Sequence, residues 1–104
     1  MAQIKFENMG LALKGKGLAI GKSDVLHNLD RISVVVFAND MSRREMNKIL
    51  NVLDEKHKIL YCNRSKRELG EMLGRSEVGV FGIKKKFENL LISKEEKSES
   101  SGKY

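Results

Sequence analysis

Chemistry is first suggested in this chain by the segment Gly17-Leu18-Ala19-Ile20-Gly21-Lys22-Ser23. A glycine loop closed by Lys-Ser can cradle phosphates, but the nucleotide-binding version needs four residues between its glycines. Here Gly17 and Gly21 enclose three residues, Gly15 and Gly21 enclose five, and the helix that follows is too short to anchor a nucleotide. His27 and His57 are the only histidines and stand far apart, so the three or four convergent ligands of a metal site cannot be assembled. Cys62, the single cysteine, excludes an internal disulfide and a cysteine–zinc cluster. It ends an apolar strand whose other end carries His57, and reads as a buried structural thiol. Asn63-Arg64-Ser65 matches a glycosylation sequon, which has no meaning in a cytoplasmic protein. Met9, Met46 and Met72 stand at packing spacings. No catalytic constellation survives, and the expectation is a non-enzyme without cofactor or metal.

The cations tell more. Twenty Lys and Arg against fourteen Asp and Glu give a net charge of +6 and a pI near 9.6. From Ser93 to Tyr104 the charges cancel, so the whole excess belongs to the body of the chain. A basic body suits a polyanion, and RNA is the commonest one met by a small cytoplasmic protein. Tandem aromatics of the base-stacking kind are missing, so recognition of a folded RNA by shape and phosphate contacts fits better than single-strand binding. No run of about 18 apolar residues is present to span a membrane, and Met1-Ala2-Gln3-Ile4-Lys5 has no secretory core. The expected setting is the cytoplasm, and the expected state a monomer.

The elements that must position these residues follow from periodicity. Phe6, Met9 and Leu13 recur at helical spacing, which predicts a helix over 3–14 closed by Gly15-Lys16-Gly17. Leu18-Ala19-Ile20 is a short strand. A short helix begins at Ser23-Asp24, with Val25, Leu26 and Leu29 facing inward. Ile32 to Ala38 is β-branched and unalternating, the pattern of a central strand covered on both faces. Ser42-Arg43-Arg44-Glu45 and Ser65-Lys66-Arg67-Glu68 are capping boxes at the heads of two further helices, one ending at Gly74. Between them lies the strand Ile59–Cys62. Val78–Ile83 forms a last strand, and Phe87, Leu90 and Leu91 mark a last helix.

This alternation, α-β-α-β-α-β-α-β-α, predicts a three-layer α/β/α sandwich around a small, mixed, four-stranded sheet. The domain covers 1–92, and 93–104 is expected to be a polar, flexible tail. Open sheets bind ligands beyond the carboxyl ends of their parallel strands. Here those ends are Asn39-Asp40-Met41 and Asn63-Arg64-Ser65, with the helix start Gly21–Asp24 and the loop Gly74–Glu77 beside them. Helix starts offer free backbone N–H groups to phosphates. Lys14, Lys16, Lys22, Arg64, Lys66, Arg67 and Arg75 lie in or next to these loops.

Taken in order, several strings resemble the kink-turn RNA-binding ribosomal-protein family of the large subunit, particularly its small YlxQ-like bacterial members. They are Met9-Gly10-Leu11-Ala12 with Gly15-Lys16, Gly21-Lys22-Ser23-Asp24-Val25, Val34–Asp40, Ser65-Lys66-Arg67-Glu68-Leu69-Gly70, and Gly74-Arg75-Ser76. The likeness spans residues 6–92. It implies an α/β/α sandwich that binds sharply bent RNA and has no catalytic activity. The family's recognition helix begins Gly-x-Asn-Glu, whose amide and carboxylate read guanines at the kink. This chain departs there: Ser23 replaces the asparagine, Asp24 the glutamate, and His27 a basic residue one turn later. The implied RNA-binding set is Lys14, Lys16, Gly21, Lys22, Ser23, Asp24, His27, Asn39, Arg64, Lys66, Arg75, Ser76, Glu77 and Val78, with a kink-turn or ribosomal RNA, and the ribosome itself, as partners. Two other roles stay open: a protein-interaction or ribosome-assembly module that does not read RNA, and a recruiting domain working with a methyltransferase supplied in trans.

Overall fold

A computed structural model describes residues 2–94. At its centre is β3 (Ile32–Phe37), every residue of which is buried. Its β-branched side chains suit a pleated strand with no solvent face. β2 (Leu18–Ile20), β4 (Lys58–Tyr61) and β5 (Val80–Lys84) complete a four-stranded sheet in the order β2-β5-β3-β4. β3 and β4 are parallel, while β5 runs antiparallel to both β3 and β2. The expected mixed, four-stranded sheet is therefore present.

Helices cover both faces. On one face α1 (Met9–Lys14), α4 (Lys66–Leu73) and α5 (Glu88–Leu91) bury Met9, Ala12, Leu69, Leu73 and Leu91 against Val34, Val36, Phe81 and Ile83. On the other, α2 (Lys22–His27) and α3 (Arg43–Leu50) bury Val25 and Ile49 against Val35, Phe37 and Val80. Ile32 joins this second face because the register shifts between Ile32 and Val34. One extra residue, Ser33, reverses the alternation below it. Its buried hydroxyl has no hydrogen-bond partner.

Three expectations change. Ala2–Ile4 is a strand (β1), not the start of a helix, and pairs antiparallel with β6 (Ile92–Lys94). Only a short 3-10 turn at Phe6–Asn8 precedes α1. Ser93 and Lys94, the first residues of the expected tail, belong to this ladder; the rest of that tail lies outside the described residues. Leu26 points outward and is 37% exposed, while Val25 is fully buried. A six-residue helix presents one narrow stripe to the sheet, and Leu26 sits about 100° round from Val25.

The two capping boxes also differ. At α4 both reciprocal bonds form: Glu68 N–H donates to Ser65 Oγ at 3.1 Å, and Ser65 N–H to Glu68 Oε1 at 2.8 Å. At α3 only Glu45 N–H to Ser42 Oγ forms, at 3.2 Å. The Glu45 carboxylate turns instead to Lys22 and Lys48, 3.2 and 3.5 Å away.

Candidate nucleic-acid interface

Four segments meet at one end of the sheet, and backbone hydrogen bonds tie them in series. Gly21 N–H donates to Val80 O and Ala38 N–H to Gly79 O, both at 2.9 Å. Asn39 N–H donates to Arg64 O, and Val78 N–H to Lys66 O, again at 2.9 Å. Lys66 N–H reaches Asp40 Oδ1 at 2.8 Å. The exit of β2, the ends of β3 and β4 and the entry to β5 thus form one rigid rim. Asn39, Ser23, Asp24, Arg75, Ser76 and Glu77 are exposed on it, while Val78 is buried beneath.

Two glycines make this rim possible. Gly21 heads α2 with φ 91° and ψ 162°, a conformation nearly confined to glycine. It turns the chain so that Ser23 and Asp24 face solvent. At Gly70, a Cβ would come within 2.6 Å of Ser76 O and 2.8 Å of Arg75 O. The bare backbone of α4 is what lets the Arg75–Ser76 loop lie against it.

Two of this rim's cations are held by contacts of different kinds. Lys22 pairs with Glu45 at 3.2 Å, and this lysine holds the Glu45 carboxyl below its ordinary range. The Arg64 guanidinium lies over the Phe6 ring, 4.7 Å from its centroid, a cation–π contact that draws it toward α1. The expected phosphate cradle at the start of α4 is already filled. Asp40, Ser65 and Glu68 take or make its leading backbone bonds, and two of the three are carboxylates. The six-residue α2 carries His27 Nδ1–H on Ser23 O at 2.8 Å and Asn28 Nδ2–H on Asp24 O at 2.8 Å. These side chains stiffen the short helix from its carboxyl end.

Lys14 and Lys16 are not part of this rim. They precede β2, whereas Gly21 follows it, so they lie at the opposite end of the sheet beside Lys84, whose N–H donates to Gly17 O at 2.9 Å. Arg67 is exposed on α4. Tyr61, 61% exposed at the carboxyl end of β4 and stacked 5.7 Å from Phe37, is a rim aromatic that sequence reasoning assigned only to a strand. Arg31 and the run Lys84-Lys85-Lys86 were also passed over, although three consecutive lysines are visible without any structure.

Among the described residues no group of three His, Cys, Asp or Glu could hold a metal. His57 is buried, its Nε2–H donating to Leu29 O at 2.9 Å. Cys62 is half-buried, and desolvation pushes its thiol up from the ordinary value, which favours the neutral form. No helix among the described residues is long and apolar enough to cross a membrane.

No curated protein matches the chain. Among solved structures, it is similar to a protein of unknown function from Bacillus halodurans, with 21% identity and a TM-score of 0.65 over 76% of this chain and 82% of that one. That likeness concerns the fold. At the level of sequence, residues 6–92 match the Ribosomal protein L7Ae/L30e/S12e/Gadd45 family. The chain therefore belongs to the L7Ae/L30e/S12e/Gadd45 family, known for RNA binding at kink-turns.

Proposed function

We propose that this chain binds a structured RNA, kink-turn-like or ribosomal, through the rim built by Gly21–Asp24, Asn39, Arg64–Lys66 and Arg75–Val78, without catalysing a reaction, as a cytoplasmic monomer. The observation that carries the reading is the series of backbone bonds that fixes four loops against one another. A rim that cannot shift holds its exposed donors and acceptors in one pattern, which is what shape-selective recognition requires. In this reading Asp24 accepts from guanine N–H groups, Ser23 and Asn39 supply smaller polar contacts, and His27 holds Ser23 in place. Lys22, Lys66 and Arg75 meet phosphates, and Arg64 does so from its perch over Phe6. Ser76, Glu77 and Val78 form the facing loop.

The test is a gel-shift titration with a kink-turn RNA, its unkinked control and a plain duplex at two salt concentrations. Selective binding to the kinked RNA supports the reading. Replacing Lys22 and Arg75 together should flatten the salt dependence for that RNA, because fewer counterions are released. Equal affinity for all three RNAs would remove the shape-selective part. No affinity for any of them, with a stable protein complex instead, would replace the reading by that of an assembly module.

A further inference from the structure

At the end of the sheet opposite the rim lies a groove of about 570 Å³ lined by Lys16, Arg31, Lys84, Lys85, Lys86 and Asp30. It holds five cations and one carboxylate. Three segments are locked together to make it: Lys84 N–H donates to Gly17 O and Lys85 N–H to Arg31 O, both at 2.9 Å. Its floor is Phe87, whose ring sits on the Gly15–Gly17 turn. A Cβ on Gly15 would meet that ring at 2.7 Å, and one on Gly17 would collide with it outright.

Two observations separate this groove from an ordinary solvated surface. The first is its excess of positive charge, five cations to the one carboxylate of Asp30. Elsewhere Lys22 and Lys48 share Glu45, and Lys58 pairs with Glu88. None of the five groove cations makes an ion pair among the described residues. Glu88, the next residue after the floor, reaches Lys58 on β4. The second is Lys16 itself, at φ 59°, the only positive φ outside glycine among the described residues. A lysine is held there in a left-handed conformation that glycine or asparagine would adopt more easily. Like charges gathered in a concave site, one of them on a strained backbone, repel one another, and a polyanion relieves that repulsion.

We infer that this groove is a second nucleic-acid site that grips the phosphodiester backbone of an RNA segment separate from the one at the rim. Its chemistry is charge without readout: flexible lysines suit phosphates and carry no base code. A membrane surface fits less well, because interfacial binding needs exposed apolar side chains beside the cations. The large exposed apolar residues, Leu11, Leu26, Val52, Ile59 and Tyr61, do not line the groove. With one site at each end of the sheet, a single chain can hold two RNA segments about one strand length apart. The inference shares RNA as ligand with the proposed function but does not depend on kink selectivity.

The experiment titrates a plain RNA duplex onto the full chain over a series of salt concentrations. It compares wild type with Lys85→Glu/Lys86→Glu, with Lys16→Gly, and with the rim variant Lys22→Gln/Arg75→Gln. Lys16→Gly removes a charge while relaxing the backbone, so a loss of binding there cannot be laid to misfolding. The groove double variant should bind the duplex at least about tenfold more weakly at low salt, with a log–log salt slope shallower by roughly two. Lys16→Gly should lose about half as much slope, and both should keep the rim's preference for kinked over plain RNA. Unchanged slopes in both groove variants would overturn the inference. So would wild-type binding to phosphatidylglycerol vesicles without binding to the duplex, which would make the groove a membrane contact. Loss of kink selectivity in wild type, with the groove slopes changed as expected, would remove the rim reading and leave the groove standing.

Discussion

The rim and the groove sit at opposite ends of the same sheet and solve different problems. At the rim Lys22 has a carboxylate partner in Glu45 and the backbone donors are closed: Lys66 N–H meets Asp40, and the start of α4 is held by Ser65 and Glu68. What remains exposed includes small donors and acceptors, Ser23, Asn39 and Ser76, beside the charges of Asp24, Arg75 and Glu77. In the groove five cations gather around one carboxylate, and none of them makes an ion pair among the described residues. Matched charge gives geometry and hence discrimination; unmatched charge gives affinity that salt erodes. A net +6 therefore says less about where RNA sits than the distribution of carboxylates among the cations does.

The comparison can be broken by attacking the rim's geometry. Gly70→Ala drives a methyl into the Arg75–Ser76 backbone. It should cost about 1–3 kcal/mol in denaturant melts and abolish selectivity for kinked RNA while leaving the groove's salt slope intact. Retained stability and selectivity would show that the 75–78 loop can move, and the rigid-rim argument would fall. Asp24→Asn preserves shape and removes one acceptor charge. Loss of a single base contact is worth about 1–3 kcal/mol, so the kinked RNA should weaken roughly tenfold to a hundredfold in gel shifts, with the plain duplex unchanged or tighter.

Smaller effects sharpen it. Ser65→Ala opens the capping box of α4 and should lower stability by about 1 kcal/mol, seen as a drop of roughly 4–8 °C in Tm. Lys16→Gly should do the reverse, raising stability by about 0.5–1 kcal/mol in the same melts, because the left-handed strain disappears. A fall in stability would mean that Lys16 has structural work beyond its charge. Lys22→Gln tests the matched pair by pH. The Glu45 carboxyl is held below its ordinary range chiefly by its hydrogen bond to Lys22. The pair's contribution is thus present above the ordinary carboxylate range and lost as pH falls through the lowered folded value. Wild type should be slightly more stable than the variant at neutral pH, and the two melting curves should converge in acid. A difference that persists in acid would assign the effect to packing.

Much of the fold was legible because its signals are local. The run Ile32–Phe37, apolar but for Ser33, reads as a covered central strand, and Ser65–Glu68 is a helix start whatever surrounds it. The β1–β6 ladder was not legible: three residues at each end of the body carry no pattern until their partners, some ninety positions away, are beside them. Ser42–Glu45 failed for a related reason. The string is the same kind of cap, but a lysine from α2 competes for the glutamate. Leu26 was misplaced because a helix of six residues is too short for periodicity to choose a face.

The site divides along the same line. The sequence alone determined the three-layer α/β/α class, the strand ends where Asn39 and Arg64 fall, the glycine at the head of α2 and the basic character of the body, because each depends on neighbours within a turn or a strand. Tertiary structure alone decided that Lys14 and Lys16 belong with Lys84 rather than with Lys22, since β2 must be crossed to pass from one set to the other. It also decided which cations find a carboxylate. Charge acts through space over several ångströms, and the chain order of residues does not say which of them will share that space.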